Sequence, residues 1–435
     1  MKISKCLTVG AILFLLGIVG LQASDTRTQT LGYASNFYVQ DDYNIWYFPS
    51  TLVNHRSMVV AESEYWMEYE GDQLWSGGVH IPVTSDFTLG VYLQNDTRFI
   101  SFSDTKFDVP FPYTQAVRTT IYPDLNTNEA AHQFTVIGAM RMTNVDLGLS
   151  ISSYNSKLTY TDPNNPDFNF EDKLSTMTAS GGLSFKPNDK TRFDGTIYYQ
   201  TSSFKHVEYS EYSYGDTTQW LQPYGYSMYG VDARLFYVLN PKTILVPFLR
   251  YMSAGQGYQW LVKSQDIIGV SGITSRKNKQ TYYLLGVAAD YIPYTNNMVT
   301  LAAGLYQRTE TYVETLLEGT PDVPSKEIWR ALPFLSIGLE SRIAKWLDVR
   351  FAFYELLETW IMQNAVTETI LDKGRLTGSS YAANFGLAFH VGRFDIDTLI
   401  DTDGAADFLH NGPYILSGKE YYGLFSKISI KYNFK

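Results

Sequence analysis

The sequence predicts an all-β chain: a transmembrane, antiparallel, up-and-down β-barrel of 14–16 strands with an N-terminal plug-like segment. Three observations lead to this expectation. The chain ends "LFSKISIKYNFK", in which Ile428, Ile430, Tyr432 and Phe434 alternate with Lys427, Ser429, Lys431 and Asn433. A period of two puts one set on each face of a strand, so the two faces meet different environments. Composition is the second observation. Tyr, Phe and Trp number 34, 25 and 8, and only 18% of residues are charged, where about a quarter is usual. Yet no stretch beyond the N-terminus holds about 18 consecutive apolar residues, which excludes transmembrane helices there. The third is a rhythm of tight turns and longer polar connections, the layout of periplasmic turns and extracellular loops on a membrane barrel.

Taken in chain order, residues 1–23 read as a secretory signal peptide. Lys2 and Lys5 precede an apolar core from Leu7 to Leu21, and cleavage is expected after Ala23. Cys6 precedes the core and leaves with the signal, so the mature chain has no cysteine and closure of a barrel replaces disulfides as its staple. Net charge, −10 overall, falls to about −12 without Lys2 and Lys5, which excludes a nucleic-acid partner. Residues 24–55 form a periplasmic or plug segment, and 56–435 the barrel.

Sixteen strands are expected near 56–69, 74–83, 86–101, 132–142, 145–159, 174–186, 191–205, 223–239, 243–257, 280–291, 298–311, 328–343, 347–361, 378–391, 394–400 and 420–434. The fifteenth, "FDIDTLI", is the weakest, and without it fourteen strands become the expectation. "VDLGLSISS" shows the alternation well, with Val145, Leu147, Leu149 and Ile151 opposite Asp146, Gly148, Ser150 and Ser152. "VDARLFYVL", "LSIGLESRI" and "LDVRFAFY" repeat it. Turns are expected at 82–86, 142–144, 186–191, 240–243, 293–297, 344–346 and 392–393. Longer connections are expected near 102–131, 161–173, 206–222, 258–279, 312–327, 362–377 and 401–420. Tyr and Trp at Tyr65–Trp66, Tyr198–Tyr199, Trp346, Trp360 and Tyr421–Tyr422 suit interfacial girdles. A propeller would show a blade repeat, and none is found at about 40–50 residues.

Two resemblances refine this. The last strand is similar to the final strand of Gram-negative outer-membrane proteins, whose terminal aromatic is read by the barrel-assembly machinery. Phe434 would play that part, with Tyr432, Ile430 and Ile428 behind it and Lys435 one residue beyond the expected end. "FYVQDDYNIWYFPSTLV" resembles the N-terminal segment of the FadL/PorV superfamily, in which an acidic stretch leads to an Asn-Pro-Ala motif before the first strand. Asp41 and Asp42 match the acidic part, Pro49 and Ser50 the end of the motif, while Phe48 stands in place of the Asn. The resemblance implies a plug inside the barrel. It implies passage of hydrophobic molecules if FadL-like, or secretion and cargo handover if PorV-like.

Candidate lumen-facing residues lie on the polar phase of their strands: Asp146, Asp194, Asp232, Arg234, Asp290, Arg308, Glu340, Arg342, Asp348, Arg350, Lys427 and Lys431. Both signs occur, so they either neutralise one another in a packed lumen or line an open charged pore. The short 344–346 turn is expected to set Asp348 and Arg350 beside Glu340 and Arg342 as a ladder of ion pairs. Five aspartates in 395–407 echo part of a calcium loop, but the remaining ligands are missing and a solvated acidic loop is the expectation. The six histidines show no metal-ligand spacing, and no nucleophile elbow occurs, so neither a metal, a cofactor nor an enzymatic activity is expected. The expected function is transport of small molecules across the outer membrane by a monomer whose partners are membrane lipid, the assembly machinery and a small-molecule solute. Hydrophobic or amphipathic solutes are the first expectation. Alternatives are a porin for polar solutes, or a non-transport barrel that serves as a secretion partner.

Overall fold

The computed structural model describes residues 26–65, 73–94, 128–161, 169–212, 215–263, 273–294, 297–315, 323–367, 370–400 and 427–434. Sixteen strands close on themselves in sequence order, each antiparallel to its neighbours, and β1 pairs with β16. The strands are β1 Met58–Tyr65, β2 Gln73–Pro82, β3 Phe87–Gln94, β4 Asn128–Arg141, β5 Val145–Thr161, β6 Asn169–Asn188, β7 Thr191–Tyr212 and β8 Gly215–Asn240. They continue with β9 Thr243–Lys263, β10 Ile273–Tyr294, β11 Asn297–Thr315, β12 Val323–Ala344, β13 Leu347–Thr367, β14 Ile370–Val391, β15 Phe394–Ile400 and β16 Lys427–Asn433. The fifteenth strand is therefore present, and the count is sixteen rather than fourteen. Closure leaves no unpaired edge, the one way a sheet can satisfy its backbone within lipid.

The alternation written in the sequence becomes an outside and an inside. On β5, Leu147, Leu149 and Ile151 are exposed on the outer surface while Ser152 and Tyr154 are buried. On β12, Leu335, Ile337 and Leu339 face out and Ser336 faces in. These outer apolar residues form a belt within about a dozen residues of the short turns, about what a tilted strand needs to cross the hydrocarbon. Tyr199, Trp346 and Trp360 lie on that outer surface. Tyr198 does not: it is buried in the lumen, because neighbours in a strand point to opposite faces.

Several stretches read as long connections are strand instead. β7 and β8 run through most of 206–222, and β9 and β10 extend to Lys263 and back to Ile273. The same holds for parts of 161–173, 312–327 and 362–377. β8, at 26 residues, is more than twice the span a bilayer needs. There the ladder of backbone hydrogen bonds continues although the sequence no longer alternates.

The plugged lumen as candidate functional site

Residues 26–55 sit inside the barrel as four short helical turns: α1 Thr26–Gln29, α2 Ser35–Tyr38, and two 3-10 turns at Asp42–Trp46 and Pro49–Asn54. Asp41 starts the first 3-10 turn with a capping box. Its carboxylate accepts from the Tyr43 N–H at 3.2 Å, and its own N–H donates to Asn44 Oδ1 at 3.1 Å. Asn44 Nδ2 donates to the Asn36 carbonyl at 3.0 Å, tying α2 to this turn. Pro49 opens the second turn, where its missing N–H costs nothing. Leu31, Phe37, Tyr38, Ile45, Phe48 and Leu52 are fully or almost fully buried and form the chain's hydrophobic core, so the interior is filled by the chain's own N-terminal segment.

The wall is hollowed to receive this segment. A Cβ on Gly148 of β5 would lie 2.2 Å from the Ser50 backbone nitrogen and 2.3 Å from the Pro49 carbonyl carbon. One on Gly338 of β12 would lie 2.5 Å from the Leu31 carbonyl oxygen. Only glycine lets the two backbones approach so closely. Ser50 Oγ also meets Ser184 Oγ of β6 at 3.0 Å.

Ion pairs close a ring around one side of the plug. Arg27 of α1 donates Nε and Nη2 to Glu340 of β12 at 2.8 and 2.9 Å. Glu340 accepts from Arg350 Nε of β13 at 2.6 Å, and Arg350 Nη1 donates to Asp397 of β15 at 2.5 Å. Asp397 lies 3.5 Å from Lys431 Nζ of β16, which lies 3.7 Å from Asp41. Asp41 returns to Arg27 Nη1 at 3.1 Å. Cation and anion thus alternate through six side chains that are only 3–19% exposed. Arg350 reaches Asp397 across β14, where its register partner is Gly386 and that of Asp397 is Ala388, residues small enough to let it pass.

Two further anchors hold the other side. Arg234 of β8 donates Nε to Asp194 of β7 at 2.8 Å and Nη1 to Asn44 Oδ1 and the Asn36 carbonyl at 3.0 and 3.1 Å. Its guanidinium stands 4.2 Å from the Phe48 ring centre, a cation–π contact between wall and plug. Arg250 of β9 forms a fully buried two-pronged pair with Asp232, both bonds 2.8 Å, and faces Phe37 and Tyr47 at 4.8 Å.

Within the plug, burial raises both neighbouring aspartates. Lys431, a hydrogen bond from Asp42, Arg27 and the Tyr43 N–H outweigh this at Asp41 and hold it well below the usual carboxylate range. Asp42, 2.6 Å from Lys431, stays raised by burial and by Asp41 beside it. His55, at the plug's end, is pushed down to about 4, first by burial, with Asp41 raising it and Lys431, Arg192 and Arg234 lowering it. Its folded value lies below the ordinary 6.5, so it favours a seated plug above that pH, and this contribution is lost as pH falls toward about 4. Channel activity of the bilayer-reconstituted protein is therefore expected to rise as pH drops through this window, and His55→Gln is expected to flatten the rise. Identical pH profiles for the two proteins would remove His55 from the mechanism.

The remaining sequence candidates fall as follows. Lys427 pairs with Glu62 of β1 at 2.9 Å, and Asp290 accepts from Thr300 at 2.7 Å. Arg308 lies 3.2 Å from Glu310. Arg342 and Asp348 pair at 2.6 Å near the turn-side rim, where His390 bridges Asp348 and Asp395 at 2.8 and 2.6 Å. Asp146 pairs there with the exposed Arg141 at 3.2 Å. Ile428, Ile430 and Tyr432 lie on the outer phase of β16, and the Phe434 N–H donates to the Ser57 carbonyl at 2.9 Å. The expectation of a solvated acidic loop fails for Asp395 and Asp397. Both belong to β15 and turn inward, because the barrel wall and not the loop claims them. Asp401, Asp403 and Asp407 lie outside the described residues.

Sequence reasoning missed Arg27, Arg250, Glu62 and Gly148. Arg250 stands in "TILVPFLRYM", apolar on both phases because Val246 and Phe248 face the plug's core, so no polar phase is visible there. Arg27 precedes any periodic pattern. Gly148 sits on the inward phase that was read, and a glycine there, opposite bulky outer neighbours, was the available signal.

On the inner wall beside the plug lies a run of aromatic rings. Tyr33 of the plug meets Phe334 at 5.1 Å and Tyr354 at 5.7 Å, and Tyr306 meets Tyr282 at 6.0 Å and Trp329 at 6.3 Å.

No family model matches the chain, and no curated protein matches its sequence. Solved structures with a similar course include the ferric yersiniabactin uptake receptor FyuA of Yersinia pestis, 9% identical over 86% of this chain and 74% of that one, TM-score 0.42. The ferric preacinetobactin receptor BauA of Acinetobacter baumannii is 9% identical over 87% and 79%, TM-score 0.39. The toluene transporter TodX of Pseudomonas putida is 11% identical over 94% and 97%, TM-score 0.40.

Proposed function

We propose that the chain is a plugged outer-membrane barrel, exported by a cleaved signal peptide, that passes small uncharged amphipathic molecules across the outer membrane. The observation that carries this reading is the plug itself. Residues 26–55 fill the lumen, seated by an apolar core and by ion pairs and hydrogen bonds to the wall, and these polar contacts can exchange for water when the segment moves. The buried charges around the plug neutralise one another, which leaves the aromatic run from Tyr33 to Trp329 to meet a solute. The FadL-like N-terminus is in keeping with such a gate. In this reading Ile428, Ile430, Tyr432 and Phe434 serve recognition by the assembly machinery, and the protein works as a monomer.

Single-channel recording in a planar bilayer tests it. The intact protein is expected to be silent, and the chain without residues 24–55 to conduct in large steps. Steady conductance of the intact protein would mean a porin. Silence of both forms would move the assignment to a secretion or structural barrel.

A further inference from the structure

A row of uncharged polar side chains crosses the inner wall on β2, β3 and β4. Ser76 is the register partner of Gln94, and Gln94 of Gln133. All three are 1% exposed. Ser76 Oγ, both amide atoms of Gln94 and Gln133 Oε1 make no hydrogen bond, whereas Gln133 Nε2 donates to Thr135 at 3.1 Å and Thr135 to Ser152 at 2.8 Å. Other orphaned polar atoms, at Thr88, Thr196 and Gln280, are scattered; among the described residues only this row sets them on three register-paired neighbours. Buried polar groups are ordinarily satisfied, so a contiguous set of orphans asks for a partner. Tyr92 lies two residues before Gln94 on the same face, and its ring is 4.7 Å from that of Trp46 in the plug.

We infer that this row is a binding site for a neutral, hydroxyl-bearing ring, such as a sugar carrying an apolar substituent. A hydroxyl both donates and accepts; Gln94 offers one donor and one acceptor, Gln133 an acceptor, and Ser76 either. The row itself holds no charge, and the nearest ones, Glu62 of β1 beside Ser76 and its partner Lys427 at 2.9 Å, are already matched, so an ionic group finds no spare countercharge there. Trp46 and Tyr92, themselves buried, give the row an apolar border, so the apolar substituent meets rings rather than charge. The inference rests on the transport reading for how the solute reaches the lumen, but its chemistry can be tested separately.

The probe is phenyl β-glucoside, with the full-length refolded protein used for calorimetric binding and, in proteoliposomes, for uptake. The glucoside is expected to bind and to enter, and the carboxylate-bearing phenyl glucuronide to bind at least about tenfold more weakly. Gln94→Met keeps the side-chain length and breaks no bond in the protein, so it is expected to fold with an unchanged or higher melting temperature. Its glucoside binding should fall about tenfold. Equal binding by the parent and Gln94→Met, or none by the parent, overturns the site and leaves the transport reading standing if removing the plug still opens the channel. Binding without uptake keeps the site and overturns transport.

Discussion

Arg350→Met is expected to unseat the plug and turn a silent barrel into a conducting one. Arg350 is 3% exposed and bridges Glu340 at 2.6 Å and Asp397 at 2.5 Å. Removing it strands two buried carboxylates, and breaking a buried pair in this way typically costs about 3–5 kcal/mol. Arg27 still faces Glu340 and Lys431 still lies 3.5 Å from Asp397, so the lower end, about 3 kcal/mol, applies. That shifts the seated-to-released ratio by about a hundredfold. The cost falls on the plugged state rather than on the wall, because the seated plug keeps water from Glu340 and Asp397, and both carboxylates are hydrated once it leaves. Open probability in a planar bilayer and proteolysis of the released N-terminal segment are the readouts. Arg342→Met is the control: its side chain is 35% exposed and its pair with Asp348 lies at the rim, where an ion pair contributes about 1 kcal/mol or less. An Arg350→Met protein as silent and protease-resistant as its parent would remove the ring from any part in gating.

Gly148→Val should release the plug by a different route. The added Cβ would sit 2.2 Å from the Ser50 nitrogen, and the obstacle is backbone, which cannot rotate away as a side chain can. The Pro49–Asn54 turn must lift, the 3.0 Å contact between Ser50 and Ser184 goes with it, and overpacking of this kind costs about 1–3 kcal/mol. Gly181 of β6 is the matched control, since a Cβ there meets nothing within 4 Å. Both variants are expected to migrate as folded barrels on unheated gels, with conductance from Gly148→Val alone. If Gly148→Val stays closed and its plug stays protected, the close seat of Ser50 on the wall is not what holds the segment.

The wall was legible in the sequence wherever lipid lies on one side and polar lumen on the other. "VDLGLSISS" and "LDVRFAFY" could be read because each residue's face is set by its own parity. The reading failed where that contrast disappears. In 206–212, 215–222, 258–263 and 273–279 the strict alternation of apolar and polar residues is absent from the sequence, and strand passes for loop. In "TILVPFLRYM" both faces are apolar and Arg250 passes unnoticed. Asp397 was misread for a related reason: its neighbours in sequence are acidic and loop-like, whereas its neighbours in space are Arg350 and Lys431, 47 and 34 positions away.

By itself the sequence determined the class of wall, the phase of Asp194, Asp232, Glu340 and Lys431, and the ladder in which Glu340 and Arg350 are register partners across a short turn. These follow from the pleat and from turn length, which are local. Only the tertiary structure decided the closure of β1 on β16, the seat of Ser50 on Gly148, and the ring that runs from Arg27 through four strands back to Asp41. Those depend on which surfaces meet when a segment without periodicity of its own folds into a closed lumen. Parity along a strand says which way a side chain points, and says nothing about what it will find there.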